Sequence, residues 1–230
     1  VVLHGGPGAP GSAGGLARAL AADFRVFEPF QRGCDAEPLT VVRHVADLGA
    51  YLSGVGGNAP PPLVGHSWGA MLALALAAAH PERAGPLVLV GCGTFDPAAR
   101  ARLVAIRAER AGSGDPDSYD PSSTPDEPEE GEFVERAHLE TWGDMLRLQA
   151  EGVYPAAFAR VRSPVLMLHG GHDPHPGPMI RDGLRVFVPH LEYREFERCG
   201  HYPWRERHAR EEFLAVLAEW LRLNGSRASR

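Results

Sequence analysis

Leu63-Val64-Gly65-His66 runs straight into Ser67, and Trp68-Gly69 then leads without a break into the alanine- and leucine-rich stretch 70–79. A short apolar run, a G-x-S-x-G turn and a segment apolar all round predict a buried strand that turns sharply into a buried helix. A serine at such a turn is held in strained backbone with its hydroxyl projecting. Gly65 and Gly69 are expected where neighbouring chain passes too close for a β-carbon. The N–H of Trp68, at the helix start, has no intrahelical acceptor and is aimed where a carbonyl oxygen would gain charge. Because the chain has 27 glycines, the five-residue pattern acquires meaning only from its surroundings.

Those surroundings alternate. Strands are predicted at residues 1–4, 25–30, 63–66, 87–90, 165–169 and 191–196, with helical patterns between them, which argues for βαβ crossovers and a mostly parallel sheet flanked by helices. Val41, Val45, Leu48 and Leu52 recur at helical spacing behind Thr40, which can cap the first turn. Phe213, Val216, Leu217, Trp220 and Leu221 form a sharper stripe near the C-terminus. The alternation stops between Thr94 and Arg160, where helical segments at 100–111 and 135–151 flank an acidic, proline-rich stretch with almost nothing apolar to bury. With 230 residues, the chain is expected to hold one α/β domain, its core made of residues 1–93 and 161–230. Residues 94–160 are then a lid insertion containing a flexible acidic loop at 112–131. The sequence opens in Val1-Val2-Leu3-His4 without a methionine, so the first strands of the sheet are expected to be missing.

His4-Gly5-Gly6-Pro7-Gly8 follows the first strand, and a backbone N–H from such a loop, Gly6 by preference, would pair with that of Trp68 to form an oxyanion hole. His4 is expected to tie the loop together. Gly6, Gly8 and Gly11 also satisfy a G-x-G-x-x-G dinucleotide spacing, with Glu28 at about the distance of a ribose-binding acid. Pro7 and Pro10, however, have no N–H to offer a pyrophosphate, so no cofactor is expected. Asp173 and His201 each fall just beyond a predicted strand, at the sheet edge where such folds gather ligands, and the chain order Ser, Asp, His suits nucleophilic catalysis. A serine hydroxyl needs an imidazole to accept its proton, and a buried carboxylate fixes that imidazole's tautomer. Asp96 is a rival for the acid. His169, His172 and His175 crowd around Asp173, yet no carboxylate or thiolate pattern completes a zinc shell, and no metal is expected.

A net charge of −6 with scattered charges speaks against nucleic acid, and no apolar run is long enough to cross a bilayer. Three widely spaced cysteines, Cys34, Cys92 and Cys199, point to a reducing cytoplasm. Taken together, these residues resemble the α/β-hydrolase superfamily over the whole chain. Within it, His4-Gly5-Gly6-Pro7-Gly8, Ser67-Trp68-Gly69 and Gln31-Arg32-Gly33 look like the proline iminopeptidase branch, although Phe30 stands where that branch has Asp and Cys34-Asp35 where it has Gly-Ser. The resemblance implies a serine hydrolase with Ser67, His201 and Asp173 as its triad. It implies a small-molecule substrate, first an amide or peptide with a free N-terminus held by lid carboxylates, among which Glu129, Glu130, Glu132, Glu135 and Glu140 are available. A carboxylesterase is the alternative, with a carbon–carbon bond hydrolase or a non-catalytic ligand receptor further behind. Trp142 and Met145 on the lid are expected to be core.

Overall fold

A computed structural model describes residues 1–55, 59–122 and 131–225. Glu129, Glu130 and the rest of the acidic stretch 123–130 lie outside the described residues. Five strands, β1 (Val2–Leu3), β2 (Leu63–His66), β3 (Leu87–Val90), β4 (Val165–Gly170) and β5 (Glu192–Phe196), form one sheet in that order, and every neighbouring pair is parallel. Seven helices are described: α1 (Gly14–Leu20), α2 (Val41–Val55), α3 (Trp68–Ala79), α4 (Pro97–Glu109), α5 (Glu135–Ala150), α6 (Gly177–Arg185) and α7 (Arg210–Gly225).

The two-residue period of the strands sorts the core into two layers. Leu63, Leu87, Leu89, Val165 and Met167 face the layer built on α2, α3 and α6, whereas Val64, Val88, Val90, Leu166 and Leu168 face α1 and α7. Phe213 and Leu217 of α7 are fully buried in that second layer, each worth about 2 kcal/mol over leaving it exposed. Helix α3 lies in the first layer and is buried from Trp68 through Ala78, which explains why it is apolar on every face. The expected strand at 25–30 forms no ladder. One backbone bond, from the N–H of Val2 to the carbonyl of Phe27 (2.8 Å), holds it beside β1. The reason is local: β1 is only two residues long, and Pro29 has no N–H to contribute.

Residues beyond β3 pack back onto the core. Glu140 and Asp144 of α5 accept from the N–H groups of Leu39 and Val41 (both 2.8 Å), while Thr40 Oγ1 accepts from Arg43 N–H (3.3 Å), so the start of α2 is capped largely from α5. Met145 is fully buried in the core beneath. The described part of the acidic stretch is tied to the chain around His201. The buried Glu206 carboxylate accepts from the N–H groups of Tyr119 (2.9 Å), Asp120 (2.8 Å) and Gly200 (2.9 Å), and Asp117 C=O accepts from His201 N–H (2.6 Å). Among the described residues, no helix is long and apolar enough to cross a membrane.

Candidate active site

Ser67 sits between β2 and α3 at φ 52°, ψ −115°, a backbone that non-glycine residues adopt only when their surroundings force it. Its N–H donates to Val90 C=O (2.8 Å), which fastens the turn to β3. A β-carbon on Gly65 would collide with the Gly69 carbonyl, and one on Gly69 with the Leu3 carbonyl. Both glycines therefore have the steric role the sequence suggests.

Asp173, beyond β4, and His201, beyond β5, meet at the same edge: His201 Nδ1–H donates to Asp173 Oδ2 at 2.7 Å, with both groups buried. His175 supplies two more donors to the other carboxylate oxygen, its N–H and its Nδ1–H, both at 2.9 Å. The His175 ring stacks on that of His201, centroids 4.6 Å apart. His169 Nε2 lies 3.3 Å from Asp173 Oδ2 and donates to His175 C=O (2.8 Å). Burial alone would raise the Asp173 carboxyl, but His201, His169 and His175 outweigh it and hold the group well below the usual carboxylate range. Burial pushes His201 down, yet the Asp173 charge and hydrogen bond prevail and its pKa stands above the ordinary histidine value. Asp96, the rival acid, is spent elsewhere as the N-cap of α4, accepting from Ala98 N–H (2.7 Å).

The loop after β1 is pinned from three sides. His4 Nδ1–H donates to Gly5 C=O (3.0 Å), its Nε2 accepts from Gln31 N–H (3.0 Å), and Gln31 Nε2 donates to His4 C=O (2.9 Å). Those bonds set the Gly5–Gly6 peptide, whose N–H is the expected oxyanion donor. Gln31 Oε1 also accepts from Trp68 Nε1–H (2.6 Å), and His138 Nδ1–H of α5 donates to Gly6 C=O (2.6 Å). Gly8, the middle glycine of the dinucleotide-like spacing, is covered by chain instead: its carbonyl accepts from Val134 N–H (2.7 Å), and a β-carbon there would meet Val134 C=O at 2.5 Å.

Ser67, His201, Gly6 and Trp68 all border one cavity of about 420 Å³. Met71, Leu103, Val104 and Trp142 make its wall apolar, while Arg100, Arg107 and Asp117 add charge. Trp142 is thus both core and wall. Of the lid carboxylates, Glu140 pairs with Arg136 (2.7 Å), and Glu132 and Glu135 are exposed. Among the described residues none of these borders the cavity. Among the described residues, the one cluster of donors suited to a metal is Asp173, His175 and His201, within 4.8 Å of one another. There the carboxylate accepts a hydrogen bond from each imidazole, so an ion would have to displace both of them. His172 takes no part in the cluster and stands edge-on to Tyr119 (5.3 Å).

Sequence reasoning missed Gly91. It follows β3 at φ +53°, and a β-carbon on it would lie 2.9 Å from His201 Nδ1 and 3.2 Å from Asp173 Oδ2. The Gly91→Ala variant is expected to fold with a lowered melting temperature and to lose on the order of a hundredfold in kcat/KM, because the imidazole must move aside. Ester kinetics beside a circular-dichroism melt check this, and unchanged kinetics would show that the pair tolerates the methyl group.

The model of the alpha/beta hydrolase family matches residues 1–216. The chain is 30% identical to a 2-hydroxy-6-oxononadienedioate/2-hydroxy-6-oxononatrienedioate hydrolase of Burkholderia vietnamiensis over 252 aligned positions, covering 96% of this chain and 86% of that one. Among solved structures it is similar to the 2-hydroxy-6-oxo-6-phenylhexa-2,4-dienoate hydrolase of a Rhodococcus species (TM-score 0.68, 26% identity, covering 96% of this chain and 89% of that one). It is also similar to a proline iminopeptidase of Mycobacterium smegmatis (TM-score 0.64, 20% identity, 97% and 88%), which at that identity speaks for the fold alone.

Proposed function

The chain belongs to the alpha/beta hydrolase family, and on that premise we propose that it is a serine hydrolase working through an acyl-enzyme, with Ser67 as nucleophile, His201 as general base and acid, and Asp173 as the orienting acid. The observation that carries this reading is the 2.7 Å Asp173–His201 hydrogen bond at the cavity that a serine of positive φ also borders. With Nδ1–H committed to Asp173, Nε2 is the nitrogen left to take the Ser67 proton as Oγ attacks a carbonyl carbon. The N–H groups of Gly6 and Trp68 hold the oxyanion. Collapse expels the leaving group with the proton from His201. Water, deprotonated by the same ring, then releases the acid and restores Ser67.

A carboxylic ester is the substrate this cavity suits best. A free ammonium group needs an unpaired carboxylate, and among the described residues the cavity offers only Asp117, which already pairs with Arg107 (2.8 Å). A second reading, cleavage of a carbon–carbon bond next to a ketone, is favoured by the dienedioate hydrolase at 30% identity. It uses the same steps with a carbon leaving group. Short-chain nitrophenyl esters, proline-naphthylamide and a 2-hydroxy-6-oxo dienoate distinguish the three. Ester turnover with the naphthylamide untouched is expected, and faster amide hydrolysis would overturn the preference for esters.

A further inference from the structure

Arg100 brings a positive charge into the wall of this cavity, and no carboxylate among the described residues balances it. Its Nη2 donates to Gln149 Oε1, a neutral acceptor, and its Nε is enclosed with no acceptor. Among the described residues no carboxylate comes within ion-pair distance of it. Arg107, two turns further along α4, differs in being neutralised by Asp117. Beside Arg100 on the same wall, the buried Thr94 hydroxyl also has no partner, and the two are linked through Gln149, whose Nε2 donates to Thr94 C=O (3.1 Å). Enclosed donors are paired almost without exception, so the Arg100 Nε–H and the Thr94 hydroxyl are each left in want of an acceptor. The donors of these two cavity-lining residues are a planar fork and a hydroxyl, a set that matches a carboxylate.

We propose that Arg100 and Thr94 form an anion subsite in the Ser67 cavity, so that the substrate carries a carboxylate on an apolar stem. The stem follows from the wall around it: Met71, Leu103, Val104 and Trp142 offer contact without hydrogen bonds. The choice of bond to be cut rests on the serine-hydrolase reading, whereas the choice of anion does not. A substrate with a free ammonium is disfavoured by the same charge.

Monomethyl adipate and methyl hexanoate differ only in the terminal carboxylate, and calorimetric titration of both into the Ser67→Ala protein measures their affinity ratio without turnover. The acid is expected to bind at least about tenfold more tightly. Adding Arg100→Met should bring the ratio to about one, and adding Thr94→Val should lower it severalfold. Arg100→Lys, which keeps the charge but loses the fork, should leave a ratio above one and guards against a collapse of α4 in the methionine variant. Equal affinities in the Ser67→Ala protein, or a ratio that survives Arg100→Met, would overturn the subsite. Because the nucleophile is already absent, either outcome leaves the acyl-transfer reading as it stands, and failure of acyl transfer would not alter the ratio.

Discussion

Ser67→Ala is expected to lower kcat for an activated ester by about a millionfold while leaving the protein folded. The size of the effect follows from what the hydroxyl does. It is the only group at the strained turn able to form the covalent intermediate, and the remaining machinery, two amides and a proton carrier, can then act only on a direct attack by water. Stability should stay as it is, because alanine leaves the packing around the turn unaltered and the N–H to Val90 C=O bond (2.8 Å) is a backbone contact. Stopped assays on short-chain nitrophenyl esters, with a melt as control, measure both. Activity within tenfold of the parent, at an unchanged melting temperature, would mean that the nucleophile is elsewhere.

Asp173→Asn is expected to cost about a thousandfold to ten-thousandfold in kcat, and to change the pH profile in a way that a merely structural residue would not. In the parent, the carboxylate holds the His201 pKa above its ordinary value. The base is active only when neutral, so activity falls as pH drops through that raised pKa, and the acid limb lies above the ordinary histidine value. Removing the carboxylate's charge leaves burial as the main influence on His201, and burial favours the neutral ring. The acid limb of the variant therefore shifts to lower pH even as the plateau collapses, because the asparagine amide can donate to Nδ1 and fix the wrong tautomer. A limb that stays in place with the plateau unchanged would return Asp173 to a structural role, with His175 and His169 as its reason for burial.

Much of this arrangement is legible in the chain because its key turns are contiguous. The Ser67 turn is read from seven adjacent residues, and its glycines are needed for contacts that the strand-to-helix geometry makes unavoidable. Asp173 and His201 are found by a coarser rule, the ends of consecutive strands, which works because a parallel sheet presents all those ends at one edge. The segment at 25–30 shows where pattern reading stops. Its residues include the short apolar run expected of a strand, but pairing depends on the length of the neighbour, and β1 offers only Val2 and Leu3. Gly91 and Glu206 carry no local signal, and His175 shows in the sequence only as one of three histidines near Asp173. Gly91 matters because His201 arrives from 110 residues further along the chain, and Glu206 matters because it joins the segment at Tyr119 to that at Gly200. Likewise, the expectation of an ammonium site follows from the resemblance to the iminopeptidase branch, whereas the fold turns Glu140 toward the start of α2 and lines the cavity with arginines.

The central claim is that one hydroxyl, one imidazole and one carboxylate act together beside two amides. Reaction of the native protein with a fluorophosphonate, followed by peptide mapping and a crystal structure of the adduct, tests it most directly. Phosphorus on Ser67 Oγ is predicted, with the phosphonyl oxygen within hydrogen-bond distance of the N–H groups of both Gly6 and Trp68 and with His201 Nε2 turned toward Oγ. A label on any other side chain, or an adduct whose oxygen points away from both amides, would contradict the account.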